Sequence, residues 1–400
     1  MKILIMRASN SKNYGSLMMV ANCIYYMQKN DPNISFIVDN IEDDGLERIK
    51  TASNYSNITS FKELGIKLRP ECSNSNKLIK TFKYFNYSIN FGKIIKKLNV
   101  DKVIQLGGDD FSEYYSIKAL VIELLKINSL KRNLIDVSLI GQTMGPFTSW
   151  RKTLVKSTLK DVKIYTRDKT NFDYLKNILN LKNVDESADL AYLTLPNQNE
   201  EFIKEQAKKL TNNLNNYIVV VPSGLWKAYT TSKEDYINAW VSVINDLYDK
   251  KFNIILLAHV LSDTSSDAPI IEDIYSRLKP LDTNLILKIT EIIQPVLARE
   301  IIANSKFVIS GRMHACVSAL QTGIPAIALS YSVKFKGVIG ELNIDTNIIE
   351  SSSDSLWKEP YKINNLIKNE YSKILNNNTS KEKIINEISK LESKIINQIN

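Results

Sequence analysis

The densest group of chemically capable side chains is Ser310-Gly311-Arg312-Met313-His314, which leaves an apolar run, Phe307–Ile309, and enters a predicted helix. One further strand along the chain lie Lys334 and Lys336. An arginine and a histidine at a helix N-terminus, with two lysines one strand away, make a cationic pocket for a small anion bearing carboxylate or phosphate. The chain has two histidines, so each can be weighed. His314, at the helix start, is placed for proton transfer or contact with the anion. His259 ends the run Asn253–Ala258 without an arginine beside it, and a structural role and a ligand contact are equally open to it.

Four more loops leave strands. Arg7–Ser16 contains Asn13, Tyr14 and Gly15 and opens a helix at about Ser16; it matches neither a dinucleotide fingerprint nor a P-loop, and an ordinary turn is the simpler reading. In Leu106-Gly107-Gly108-Asp109-Asp110-Phe111-Ser112, two glycines precede two carboxylates. Asp110 or Ser112 would serve as helix cap, leaving a carboxylate for a substrate. Gly141-Gln142-Thr143-Met144-Gly145-Pro146-Phe147 is a Gly-flanked turn after a strand. Thr166-Arg167-Asp168 sets an arginine at a strand end, where it would either fork a carboxylate or phosphate or form a surface ion pair.

Elements that could hold such loops repeat along the chain: a short β-branched run, a polar or Gly-bearing loop, then an amphipathic helix. The runs are 2–6, 102–106, 135–140, 163–166, 217–221, 253–258, 307–309 and 326–329. Several are almost continuously apolar, as strands buried on both faces of a parallel sheet must be. Strand–helix alternation predicts doubly wound sheets, whose ligands sit beyond the carboxyl ends of the strands. With 400 residues the chain exceeds one ordinary core. The break at Leu195–Glu200 predicts an N-terminal domain over 1–196 and a C-terminal one over 197–350. A helical tail over 351–400 then returns to brace the first domain.

The charge of +9 favours anionic partners. The paired lysines are scattered over predicted helix faces without any nucleic-acid motif, so nucleic acid is not expected. Cys23, Cys72 and Cys316 lack metal or disulfide spacing, which fits a reducing compartment. No run reaches a membrane span and the first residues make no signal segment, so a soluble cytoplasmic protein is expected.

Taken in order, Asn13-Tyr14-Gly15, Gly107-Gly108-Asp109, Gly141–Pro146, Thr166-Arg167-Asp168, Ala188-Asp189, Ser310–Ala315, Gly323–Tyr331 and Lys334 resemble the polysaccharide pyruvyltransferase family over about residues 1–345. Many members have Gly-Asp where this chain has Gly15-Ser16, and a third glycine where it has Asp109. The resemblance implies two Rossmann-like α/β domains facing across a cleft, as in glycosyltransferase-B folds. It implies transfer of a pyruvyl group from phosphoenolpyruvate to a sugar of a surface polysaccharide or its precursor, forming a ketal and releasing phosphate. His314, Asp109 and Asp110 would be the catalytic residues. Arg167, Arg312, Met313, His314, Lys334, Lys336 and His259 would meet the donor. Asn13, Tyr14, Gly15, Gly107, Gly108 and Gln142 would meet the acceptor. No metal and no cofactor beyond the co-substrate is implied. A nucleotide-sugar glycosyltransferase of the same fold, or a non-catalytic homologue in polysaccharide assembly, is the alternative. Were the acceptor lipid-linked, the basic surface would hold the enzyme at the inner face of an anionic membrane.

Overall fold

The computed structural model describes residues 1–70, 76–108, 111–113, 116–278, 285–342, 344, 347–376 and 381–399. Asp109, Asp110 and Cys72 lie outside the described residues.

The chain divides into two compact units. In the first, a seven-stranded parallel sheet has the order β3-β2-β1-β4-β5-β6-β7. Its strands are β1 (Lys2–Met6), β2 (Ser35–Val38), β3 (Ile58–Ser60), β4 (Lys102–Leu106), β5 (Asp136–Gln142), β6 (Lys163–Thr166) and β7 (Val184–Glu186). The helices of this stretch are α1 (Tyr14–Asn30), α2 (Gly45–Ser53), α3 (Lys77–Lys96), α4 (Ile117–Arg132), α5 (Ser149–Leu159) and α6 (Lys169–Asp173). The core is built from Leu4, Val103, Leu139 and Ile164 of the strands with Phe91, Ile95, Leu124 and Ile127 of α3 and α4.

In the second unit a six-stranded parallel sheet has the order β10-β9-β8-β11-β12-β13. Its strands are β8 (Tyr217–Val221), β9 (Asn253–Leu257), β10 (Ile286–Ile289), β11 (Val308–Ser310), β12 (Ala326–Ser330) and β13 (Asn347–Glu350). The helices are α7 (Glu201–Leu210), α8 (Lys233–Asp249), α9 (Ala268–Tyr275), α10 (Pro295–Ala303), α11 (Met313–Gln321), α12 (Val333–Phe335), α13 (Asp354–Lys358), α14 (Pro360–Asn376) and α15 (Lys381–Ile399). Tyr217–Val221 and Ala326–Ser330 are buried at every position, as strands covered on both faces require. In each sheet the strand order reverses beside the first strand, between β1 and β4 and between β8 and β11, the position at which doubly wound sheets bind their ligands.

The division departs from the sequence boundary. The first unit holds Met1–Ser11, Met19–Leu190 and the chain from Lys394, and the second holds Lys12–Met18 and Ala191–Ser393. Polar composition marks the loop at Leu195–Glu200, but the second unit begins at Ala191, where Arg299 of α10 donates to the carbonyls of Ala191 (2.6 Å) and Leu193 (2.9 Å). Of the tail, α14 packs on α8, with Tyr371 Oη donating to Asp246 at 2.9 Å. The end of α15, from Lys394, belongs to the first unit, with Lys394 on Glu186 at 2.7 Å and Gln398 donating to the Glu186 carbonyl at 2.8 Å. Among the described residues no helix is long and apolar enough to cross a membrane.

Candidate functional site

The carboxyl ends of β8, β9, β11 and β12 converge where the second sheet reverses. Ser310, the last residue of β11, turns the chain: its hydroxyl accepts from the Arg312 amide (2.8 Å) and donates to the Arg312 carbonyl (2.9 Å). Arg312 is therefore held as the N-cap of α11, whose first amides point out of the helix beside it. Its guanidinium is 8% exposed and lies on the fully buried Asp267, with Nε at 2.9 Å and Nη2 at 2.7 Å from one carboxylate oxygen. Nη2 also donates to the Ser265 carbonyl at 2.5 Å. Burial works against the charge on Arg312, yet the Asp267 carboxylate outweighs it and holds the guanidinium pKa above its ordinary value. Nη1 has no protein hydrogen-bond partner among the described residues.

Asp267 is the hub that sequence reading missed. It accepts from the amides of Gly224 (2.7 Å), His259 (3.0 Å) and Val260 (2.8 Å) as well as from Arg312. It thus ties the loops after β8 and β9 to the head of α11. An aspartate inside Ser265-Ser266-Asp267-Ala268-Pro269 reads as a helix cap before a proline, which hides its reach to Arg312. The loop after β8, Pro222-Ser223-Gly224, was also passed over. Its signal was present, since it is a Pro-Ser-Gly turn directly after an unbroken apolar strand.

His259 is 1% exposed, and burial first, then the charges of His314, Arg312 and Arg299, push its pKa well below the usual imidazole value. Its Nε2 is buried without a hydrogen-bond partner among the described residues. His314 is half-buried on the first turn of α11. Met313 is buried beside it and contributes packing to the helix head. Lys334 sets its ammonium 4.9 Å from the Tyr331 ring centroid. Tyr331 packs on Tyr229, whose hydroxyl donates to the Gly311 carbonyl at 2.7 Å. Lys336 is exposed, and among the described residues no hydrogen bond or ion pair ties it to this group.

Three residues expected among the N-terminal loops belong here instead. Asn13 forms an antiparallel bridge with Val260, and the Tyr14 amide donates to the His259 carbonyl at 3.2 Å. The Tyr14 ring meets the His259 ring edge-on with centroids 5.4 Å apart, and its hydroxyl accepts from the Ile293 amide at 2.9 Å. Gly15 lies so close to His314 that a Cβ there would stand 2.2 Å from Nδ1. The motif Asn13-Tyr14-Gly15 therefore shapes the histidine pair of the second unit, which corrects its expected place with the acceptor loops of the first.

Arg167 and Gln142 stand in the first unit, each engaged by protein partners. Arg167 is in the first unit, 5% exposed, with Nε donating to Thr143 Oγ1 (2.7 Å) and Nη1 to the fully buried Asp189 (3.1 Å). It is neither the open fork nor the surface pair that its position suggested. Gln142 spends its amide on the carbonyls of Gln105 (3.1 Å) and Leu106 (3.0 Å). Gly107 lies against Gly141, where a Cβ would stand 2.1 Å from the Gly141 carbonyl oxygen, and the Gly108 carbonyl accepts from the Thr143 amide at 3.0 Å. These three residues lock the ends of β4 and β5 together.

The first unit has a cavity of about 480 Å³ at its own strand reversal. Arg7 and Asp39, from the ends of β1 and β2, line it together with Tyr84 and Tyr87 of α3 and Glu123 and Lys126 of α4. Asp39 accepts from the amides of Ala8 (2.7 Å) and Arg7 (3.0 Å), which holds Arg7 at a φ of 75°. Burial raises the Asp39 pKa, and those two amide bonds pull against the rise. Glu123 is also buried, but the charges of Lys126 and Arg7 overcome the burial and keep its pKa below the ordinary value. Among the described residues no group of His, Cys, Asp and Glu is arranged to hold a metal ion.

Comparison with solved structures shows the same two-domain fold at low identity. UDP-GlcNAc 2-epimerase from Neisseria meningitidis is 11% identical with a TM-score of 0.61, and each chain is covered completely. The UDP-GlcNAc 2-epimerase from Methanocaldococcus jannaschii is 14% identical with a TM-score of 0.59, again over the whole of both chains. A ugt transferase from Siraitia grosvenorii is 11% identical with a TM-score of 0.56, covering 100% of this chain and 99% of that one. The fold is thus glycosyltransferase-B-like, with two parallel-sheet α/β domains. Comparison with curated proteins gives no match. The family model for polysaccharide pyruvyl transferase matches residues 13–333, a stretch that runs from Asn13 through Arg312 and His314 to the loop after β12, and the chain belongs to that family.

Proposed function

We propose that the chain transfers a pyruvyl group from phosphoenolpyruvate to a sugar of a surface polysaccharide or its precursor, forming a pyruvate ketal and releasing phosphate in the cytoplasm. The observation that carries this reading is the Asp267-anchored Arg312 at the head of α11, beside His314, at the strand reversal of the second sheet. The donor is a carboxylate and a phosphate on three carbons. A preset guanidinium with one nitrogen to spare and the first amides of a helix support binding of such an anion.

In this reading a sugar hydroxyl adds to C2 of the enol phosphate while C3 takes a proton and becomes a methyl group. A second hydroxyl then displaces phosphate at C2, closing the ring. Each hydroxyl loses one proton: one is balanced by the proton gained at C3, and the other leaves with the phosphate. The net change is one phosphoenolpyruvate and one diol in, one ketal and one inorganic phosphate out. His314 would protonate C3 or hold the phosphate, and Lys334 would add positive field. Asp109 or Asp110 would deprotonate the acceptor hydroxyl. The cavity of the first unit would seat the acceptor, with tyrosine rings for sugar faces and buried carboxylates near its hydroxyls. The scheme calls for no metal and no resident cofactor.

The test is isothermal titration of phosphoenolpyruvate into the full chain, with Arg312→Ala alongside and UDP as competitor. Saturable binding that the variant loses by at least about 100-fold, unaffected by UDP, is the expected result. Binding of UDP without phosphoenolpyruvate would move the chain to the nucleotide-sugar chemistry named for its structural neighbours. An Asp109→Asn, Asp110→Asn double variant with unchanged acceptor kinetics would remove those residues from the scheme.

A further inference from the structure

We propose that the outward face of α3 is a docking surface for an anionic lipid bilayer. Leu78, Phe82, Phe85 and Ile89 follow one another at i, i+4, i+7 and i+11, so they form a single stripe along the helix. They are 82%, 69%, 46% and 37% exposed, whereas Phe91 and Ile95 of the same helix are buried in the core. The helix is therefore anchored by its other face. Gly92 donates to Ser129 Oγ of α4 at 2.9 Å, and Tyr84 and Tyr87 turn toward the cavity. Ile117, also exposed, stands at the start of α4, whose Lys118 donates to Thr81 Oγ1 of α3 at 2.8 Å. Contiguous exposed side chains of this size mark an interaction surface rather than a chance leucine.

Charge selects the partner. The twenty residues of α3 include Lys77, Lys80, Lys83, Lys93 and Lys96 and no Asp or Glu. Lys93 and Lys96 continue the apolar stripe at its carboxyl end, one and two turns beyond Ile89. Aromatic and aliphatic residues on one line that runs on into lysines, on a helix without an acidic residue, are the composition of a helix that lies in the interface of a bilayer. A second copy of a chain carrying +9 would set lysines against lysines on this face, whereas phosphatidylglycerol headgroups neutralise them. Docked this way, the cavity walled by the inner face of α3 lies about one helix diameter, roughly 10–12 Å, from the lipid surface. The docking is independent of the pyruvyl-transfer reading, so either can fail without the other.

The test is flotation of the purified full chain with vesicles containing roughly one-third phosphatidylglycerol, against vesicles of phosphatidylcholine alone. The wild type is expected to float with the anionic vesicles and to stay below with the neutral ones. A combined Leu78→Ser, Phe82→Ser, Phe85→Ser variant should lose at least about tenfold in partitioning, with unchanged circular dichroism and melting because the replaced groups are exposed. Lys93→Glu with Lys96→Glu should weaken flotation on anionic vesicles by about tenfold or more. A wild type that ignores anionic vesicles, or a serine variant that floats as well as the wild type, overturns the proposal. So does a self-association in sedimentation that the serine variant abolishes, since a second copy would then cover the stripe.

Discussion

At the scale of residues, the tightest constraint lies between Gly15 and His314. Gly15 sits in the first turn of α1 and has no positive φ, so its backbone would accept alanine, a better helix former by roughly 1 kcal/mol. The obstacle is steric. A Cβ there would stand 2.2 Å from Nδ1, 2.3 Å from Cγ and 2.7 Å from Cβ of His314, so the imidazole must give way. Gly15→Ala therefore separates folding from chemistry. It is expected to melt within a few degrees of the wild type while losing about 100-fold in kcat/KM for the proposed pyruvyl transfer, the scale of loss a displacement near 1 Å produces. Asp267→Asn tests a different contact. The carboxylate balances a buried guanidinium, and its neutralisation is expected to cost about 3 kcal/mol in urea unfolding. Equal midpoints for the variant and the wild type would show that Arg312 does not depend on that charge. Placement was legible where a residue followed a strand directly: Arg312 and His314 do stand at the head of the helix after β11. It was not legible for Asp267, whose partners are His259 at the other end of its own loop and Gly224 and Arg312 from two further loops.

At the scale of elements, the buried parallel strands were readable because nothing but apolar residues survives between two helix layers; 2–6, 102–106 and 217–221 agree with β1, β4 and β8. The strands that escaped, β2, β3, β7, β10 and β13, are three or four residues long and include most of the sheet edges. There the apolar run is too short to stand out. Turns were obscured for another reason. Seven of the eleven described non-glycine residues at positive φ are asparagines, so this Asn-rich chain uses asparagine where a glycine would usually announce the turn. The place where the chain changes unit was invisible because the first residues of the second unit are held by a side chain a hundred positions away, Arg299. Fully buried on α10, Arg299 donates to the carbonyls of Ala191 and Leu193 and to Gln198 Oε1 at 3.2 Å. Arg299→Leu would remove two charge-assisted hydrogen bonds to backbone carbonyls at about 1–3 kcal/mol each. The expected result is a loss of about 2–6 kcal/mol in chemical denaturation that Arg299→Lys does not restore, because a single ammonium cannot serve acceptors on both sides of the fork. Restoration by lysine would show that charge alone holds the segment.

At the scale of the whole molecule, stability is tied to pH through His259. Its folded pKa lies well below the ordinary value of 6.5, because the ring is buried first of all and then faces His314, Arg312 and Arg299. The sign follows from proton counting: below pH 6.5 the unfolded chain binds a proton at this imidazole that the folded chain refuses. The contribution of His259 is therefore fully present above that pH and is lost as the solution is acidified, by up to about 1.4 kcal/mol per pH unit until the folded ring protonates. The carboxylates contribute slopes of their own, so the measurement is a difference. Urea unfolding of the wild type and of His259→Asn is followed at several pH values between neutrality and mild acid. The variant is expected to start less stable, since it loses the edge contact with Tyr14. The gap between the two should then narrow as pH falls, because the variant carries no imidazole at this position to protonate on unfolding. A gap that stays constant through the range would mean that His259 takes up its proton equally in both states. The ring would then be reached by water in the folded protein, and its neutral burial beside His314 would have to be abandoned.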